Sequence, residues 1–138
     1  MSVVGYRTDT LPAFFTRSSG LPLDVQVNTP GEAARIINAA LKLNLGHGVL
    51  ITVPVPAEFA MDDTLAESAI EQATYEANDQ GIHGKEVTPF LLARVAELTG
   101  GESRKANKAL LINNATVAAQ IAASVSESVK GLTPSMSR

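Results

Sequence analysis

The sequence contains no cysteine and no tryptophan, and aromatic residues make up only 4% of its 138 positions. Without cysteine there are no disulfides and no thiolate metal ligands, and a reducing compartment is permitted. Charge is sparse: 18% of residues are charged, the formal net charge is -3, and no run of Lys or Arg occurs. The electrostatic footprint of a protein that binds polymeric nucleic acid or an anionic membrane is therefore missing. Long apolar runs are missing too. The longest, "GVLITVPVP", is too short to span a bilayer, and the N-terminal "MSVVGYRTDTLPAFF" lacks a basic segment followed by an apolar one. A soluble, untargeted, cytoplasmic protein is expected.

What is present is a 45% hydrophobic composition, carried by Ala, Val, Ile and Leu, which reads as globular. A chain of this length would bury roughly 70% of its unfolded surface if it folded as one domain. The segment from Val3 to Val27 mixes short apolar pieces with Gly5, Pro12, Gly20 and Pro22, and predicts short strands joined by ordered loops. Thr29-Pro30-Gly31-Glu32 has the form of a capping box with proline at the first helical position. The following apolar stripe is Ala33, Ile36, Ile37, Ala40 and Leu41, with Gly46 as the stop. "GVLITV" is continuous and β-branched, as suits a strand covered on both faces, and Pro54 and Pro56 end it.

Three further helices are predicted. The first spans Asp63 to Asn78, with Leu65, Ala69, Ile70, Ala73 and Ala77 on one face; the second, Pro89 to Leu98, is capped by Thr88 and stopped by Gly100-Gly101. The last runs from about Ser103 to Ser126, with Leu110, Val117, Ala118, Ile121 and Val125 as its apolar face. Residues 128–138 read as a disordered tail behind a domain of residues 1–127. The order of elements gives an α/β class, helix-rich toward the C-terminus.

Few residues have the spacing of a chemical site. His47 and His83 have no ligand-forming neighbours at i+2 to i+4, and no nucleophile triad, phosphate loop or dinucleotide fingerprint occurs. No metal ligand and no catalytic residue is identified. Asn107 and Asn114 lie on the apolar stripe of the last helix, about 10 Å apart along its axis. An amide there either satisfies a buried backbone group or aims a planar donor and acceptor into a cleft. Asn107 fits the second reading better, because the nearby helix N-terminus favours a polar or anionic ligand. Lys85-Glu86 before Thr88 reads as a helix start with a favourable dipole, and Arg17-Ser18-Ser19-Gly20 as a loop able to hold a phosphate.

Three strings add a resemblance. "GYRTDTLPAFFTRSSGLPLDVQV", "ITVPVPAEFAMD" and "GKEVTPFLLARVAELTGGESRKANKALLINNATVAAQIA" together resemble the C-terminal part of the pseudouridine-5'-phosphate glycosidase, or indigoidine-synthase-A-like, family, over about Val4 to Ala123. The resemblance implies the C-terminal portion of an α/β/α mixed-sheet fold, assembled as a homotrimer. It also implies an enzyme that reversibly cleaves the C–C glycosidic bond of pseudouridine 5'-phosphate to uracil and ribose 5-phosphate. The family's imine-forming lysine, its proton-donating glutamate and the aspartate that holds manganese belong to the N-terminal half, which has no counterpart here, so Lys85 and Glu86 do not inherit those roles. "SRKANKALL" matches the family's "SLKSNIQLV"-like stretch, which makes Asn107 the one substrate-binding residue carried across, as a contact to uracil. Val53-Pro54-Val55-Pro56 stands where the family usually has N-P-I-P, and His47 where glycine is common. Two roles are open: the C-terminal piece of such an enzyme, inactive alone, or a non-catalytic binding or assembly module derived from it.

Overall fold

A computed structural model describes residues 1–130. The order is β1 (Ser2–Tyr6), β2 (Gln26–Val27), α1 (Pro30–Lys42), β3 (Val49–Thr52), α2 (Asp63–Asp79), α3 (Val87–Leu98) and α4 (Glu102–Lys130), with 3₁₀ turns at Ala57–Phe59 and Gly84–Glu86. The chain is thus of α/β class, with a small parallel sheet and four α-helices among the described residues. Its contacts divide into two compact units where length alone favours one domain.

The first unit comprises Met1–Pro12, Ser18–Pro54 and the described residues from Ile112 onward. Its sheet has the order β2-β1-β3, parallel throughout, with Ser2 opposite Val49 and Gly5 opposite both Thr52 and Gln26. Gly5 is required in the central strand because a Cβ there would stand 2.1 Å from the Thr8 carbonyl oxygen. The capping box forms as its local sequence dictates: Thr29 Oγ1 accepts from Glu32 N–H at 3.2 Å, and Glu32 Oε2 accepts from the N–H groups of Asn28 and Thr29. The core joins Val4, Tyr6 and Val27 to Ala33, Val117 and Ile121.

Two expectations change here. β3 is an edge strand of the sheet among the described residues, and its Leu50 is 43% exposed, so that face of the strand is not covered as its composition suggests. Leu41 is likewise exposed: α1 ends at Lys42, capped by Leu43 and followed by Asn44 at φ 48°, so the last turn of the predicted stripe runs past the sheet.

The second unit comprises Ala13–Arg17 and Val55–Leu111. Its core holds Phe15, Val55 and Met61, the alanines Ala66, Ala69 and Ala73, and Val95, Ala106 and Leu110. Along α2 the buried stripe is Ala66, Ala69, Ala73 and Ala77, while the larger Leu65 and Ile70 are exposed. Small side chains at i, i+3, i+4 spacing let α2 and α3 approach closely. Arg94 of α3 clamps Glu76 of α2 through Nε at 2.6 Å and Nη2 at 3.0 Å, and donates to Glu97 at 2.9 Å. These hydrogen bonds lower the Glu76 pKa and raise that of Arg94.

α3 begins at Val87 rather than at a Thr88 cap, because the 3₁₀ turn of Gly84–Glu86 runs directly into it. Pro89 is thereby the third helical residue, still inside the first turn, where a missing N–H breaks no intrahelical bond. α4 extends through Lys130, so residues 128–130, expected in the tail, are helical backbone. Residues 131–138 of that expected tail lie outside the described residues. Ala118, placed on the apolar face of α4, is exposed.

By length and composition α4 could cross a membrane. Within the fold α4 supplies Ala106 and Leu110 to one core and Val117 and Ile121 to the other.

Candidate functional site

The predicted site residue Asn107 lies in the second turn of α4, and local sequence dictates what surrounds it. Gly100 and Gly101 take φ values of 57° and 89°, left-handed backbone that glycine adopts without strain, and Gly101 N–H donates to the Ala96 carbonyl at 2.8 Å. Thr99 locks the reversal: its Oγ1 donates to the Val95 carbonyl at 2.7 Å and accepts from Ser103 N–H at 3.3 Å. The start of α4 is thereby held against the end of α3. Phe15 closes the space, buried and fixed at its carbonyl by Met61 N–H at 3.0 Å, with Arg17 Nη1 donating to the Val55 carbonyl at 2.6 Å. Phe14 meets the Phe15 ring edge-on at 4.7 Å between centroids.

The result is a cavity of about 170 Å³ with an apolar side made by Phe15, Leu92, Ala93 and Ala96 and a polar side made by Ser103, Arg104 and Asn107. Asn107 is half-buried and its amide has no hydrogen-bond partner among the described residues. A slot with one aromatic wall and a free carboxamide suits a flat, polar-edged ring. The adjoining helix N-terminus adds partial positive charge that favours carbonyl oxygens.

Two other cavities are larger. One of about 220 Å³, lined by Phe14, Phe15, Ile70, Thr88, Leu91, Leu92 and Val95, is almost wholly apolar. The other, about 360 Å³, is formed by the end of α1 and residues 44–49. It opens at the N-terminal ends of β1 and β3, whereas open α/β sheets bind ligands beyond the C-terminal ends. Its His47 is already engaged, through Nε2 with Ser2 Oγ and through Nδ1 with the Leu45 carbonyl, both at 3.2 Å.

The remaining sequence candidates are not brought to the Asn107 cavity. Lys85 and Glu86 are exposed in the 3₁₀ turn before α3, as a helix start requires. In the Arg17–Gly20 loop, Arg17 is committed to Val55 and the Ser19 hydroxyl donates to the Leu11 carbonyl at 2.7 Å, so the groups read as phosphate ligands hold backbone instead. Asn114 is exposed; the amide that meets a buried backbone acceptor is Asn113, donating to the Pro54 carbonyl at 3.2 Å. Among the described residues no three His, Cys, Asp or Glu side chains converge. Sequence reasoning missed Phe15 and Ser103. Only the second left a signal, as the residue four before Asn107 on the same helical face.

The profile of the indigoidine synthase A like protein family matches residues 1–124. The chain belongs to that family. Within it, a pseudouridine-5'-phosphate glycosidase of Rhodospirillum centenum is 52% identical over 119 residues, which are 86% of this chain and 37% of that protein. One from Arabidopsis thaliana is 46% identical over 125 residues, 91% of this chain and 38% of its own length. Among solved structures, the prealnumycin C-glycosynthase in complex with ribulose 5-phosphate superposes with a TM-score of 0.82 at 33% identity, covering 95% of this chain and 43% of that one. An indigoidine synthase A-like protein of Thermotoga maritima gives a TM-score of 0.77 at 34% identity, covering 88% and 40%. The chain thus spans about two fifths of the length of the family members it matches.

Proposed function

We propose that this chain provides the base-binding side of a pseudouridine-5'-phosphate glycosidase, a soluble cytoplasmic enzyme that reversibly cleaves the C–C bond of its substrate to uracil and ribose 5-phosphate. The observation that carries the reading is identity of 46% to 52% with glycosidases of that name over most of this chain. The Asn107 cavity supports it, since its free carboxamide and aromatic wall suit a pyrimidine. The sugar phosphate bound by the related C-glycosynthase agrees with a ribosyl phosphate substrate.

In this reading the chain's residues bind and orient rather than make or break bonds. Asn107 holds the polar edge of uracil, and the Phe15, Leu92, Ala93 and Ala96 wall excludes water from its face. The imine-forming lysine, the proton donor and the manganese ligand come from polypeptide corresponding to the N-terminal half of the relatives. The complete protein assembles as a homotrimer.

The test combines the chain with a separately produced N-terminal half of a relative, manganese and pseudouridine 5'-phosphate, and follows uracil release. The chain alone is expected to show no turnover, and Asn107→Ala to impair the reconstituted activity while sparing assembly. Full activity with Asn107→Ala overturns the assignment of that residue. Turnover by the chain alone overturns the division of labour, and an assembled but inactive mixture supports a non-catalytic binding or assembly module.

A further inference from the structure

Ser103 is only 2% exposed, yet its hydroxyl has no hydrogen-bond partner among the described residues. Its backbone N–H is satisfied by Thr99 Oγ1, and the Thr99 hydroxyl is itself spent on the Val95 carbonyl. Every fully sealed side-chain polar atom among the described residues does have a partner, so Ser103 Oγ is not sealed and opens on the cavity that it lines. A hydroxyl without a protein partner adds nothing to the packing here, and alanine would be the better helix former at this position. The hydroxyl therefore does nothing for the fold that the described residues reveal.

Its position offers a use. Ser103 and Asn107 are four residues apart, on one face of α4, where Cβ atoms are about 5–6 Å apart. We infer that the Ser103 hydroxyl is a second hydrogen-bonding group for the nucleobase, acting beside the Asn107 carboxamide; this rests on the reading of the cavity as the uracil site. The 2-oxo, N3–H and 4-oxo groups of uracil form an acceptor-donor-acceptor edge. The carboxamide matches two adjacent members of that edge, with its oxygen accepting from N3–H and its nitrogen donating to one carbonyl. The remaining carbonyl needs one donor, which the serine hydroxyl supplies. The Phe15 ring and the Leu92, Ala93 and Ala96 side chains border the same space.

The experiment uses saturation-transfer NMR of the uracil ring protons against the 138-residue chain, titrated for wild type, Ser103→Ala and Asn107→Ala, with inorganic phosphate as competitor. Thermal melts of the three proteins are recorded at one concentration. Loss of one neutral hydrogen bond predicts that Ser103→Ala binds uracil roughly three- to tenfold more weakly. It should melt at the same temperature as wild type or higher, because nothing in the fold depends on the hydroxyl.

Unchanged uracil affinity in Ser103→Ala, with Asn107→Ala weakened, sinks the Ser103 assignment and leaves the base site standing. A lower melting temperature for Ser103→Ala shows a structural hydroxyl and overturns the inference. No saturation transfer to uracil in the wild type, or displacement of uracil by phosphate, overturns both the inference and the uracil reading of the cavity.

Discussion

The interaction most open to a quantitative test is the hydrogen bond from Asn113 Nδ2 to the Pro54 carbonyl, 3.2 Å long and closing a separation of 59 residues. Pro54 is buried at the end of β3. Neither it nor Pro56 has an N–H, so this stretch cannot extend a sheet ladder in both directions. Asn113→Ala removes the donor and leaves a buried carbonyl unpaired, which costs about 1–3 kcal/mol. Alanine returns part of this, about 0.5 kcal/mol, through its better helix propensity.

The neighbouring Asn114→Ala variant gains the same propensity term and loses no hydrogen bond, since Asn114 is exposed. The propensity gain cancels between the two, and their difference isolates the bond at about 2 kcal/mol. For a chain of this size that is roughly 7 °C in Tm. Thermal denaturation followed by circular dichroism, at one fixed protein concentration, measures it. Asn113→Ala should melt below wild type and Asn114→Ala at or slightly above it. Equal melting of the two variants, or a lower Tm for Asn114→Ala, would refute the reasoning.

Two further outcomes are expected. The Glu76 carboxyl has its pKa lowered from 4.5 by hydrogen bonds from Arg94 and then Gln72; a depressed folded-state pKa gives stability that is complete above the unfolded value and lost as pH falls through the folded one. Glu76→Gln should therefore flatten the acid limb of stability below about pH 4.5 in urea titrations at several pH values; an unchanged limb would show that solvent screens the pair fully. The chain by itself should also self-associate, because Leu41 and Leu43 are 68% and 69% exposed and β3 is an open edge. Sedimentation at micromolar concentration measures this, and a purely monomeric chain would contradict it.

Some of this protein is written in neighbouring residues alone. The α1 capping box closes within Thr29 to Glu32, so four adjacent residues suffice to place it. The Gly100-Gly101 stop between α3 and α4 rests on left-handed backbone that other residues disfavour. The strings that reveal the family are likewise local, and Asn107 is carried across by the stretch around it.

Other features depend on what lies across the fold, and periodicity is blind to that. Asn113 is three residues past Leu110 and four before Val117, while Asn114 is four past and three before, so helical spacing admits both to the same stripe. Only the position of the Pro54 carbonyl selects Asn113. In α2 the expected face holds for Ala69, Ala73 and Ala77, which are buried, but not for Leu65 and Ile70, because side-chain volume at a helix contact is set by the partner helix. "VLIT" reads as a strand covered on both faces, yet Leu50 is exposed, since apolar composition records what a strand is suited to and not which neighbours it has. The Asn107 cavity combines both levels: Asn107 is singled out by its own segment, but the hydroxyl of Ser103 and the ring of Phe15, 88 residues before it in sequence, line one cavity only when the chain folds, because convergence of distant groups is a property of tertiary packing.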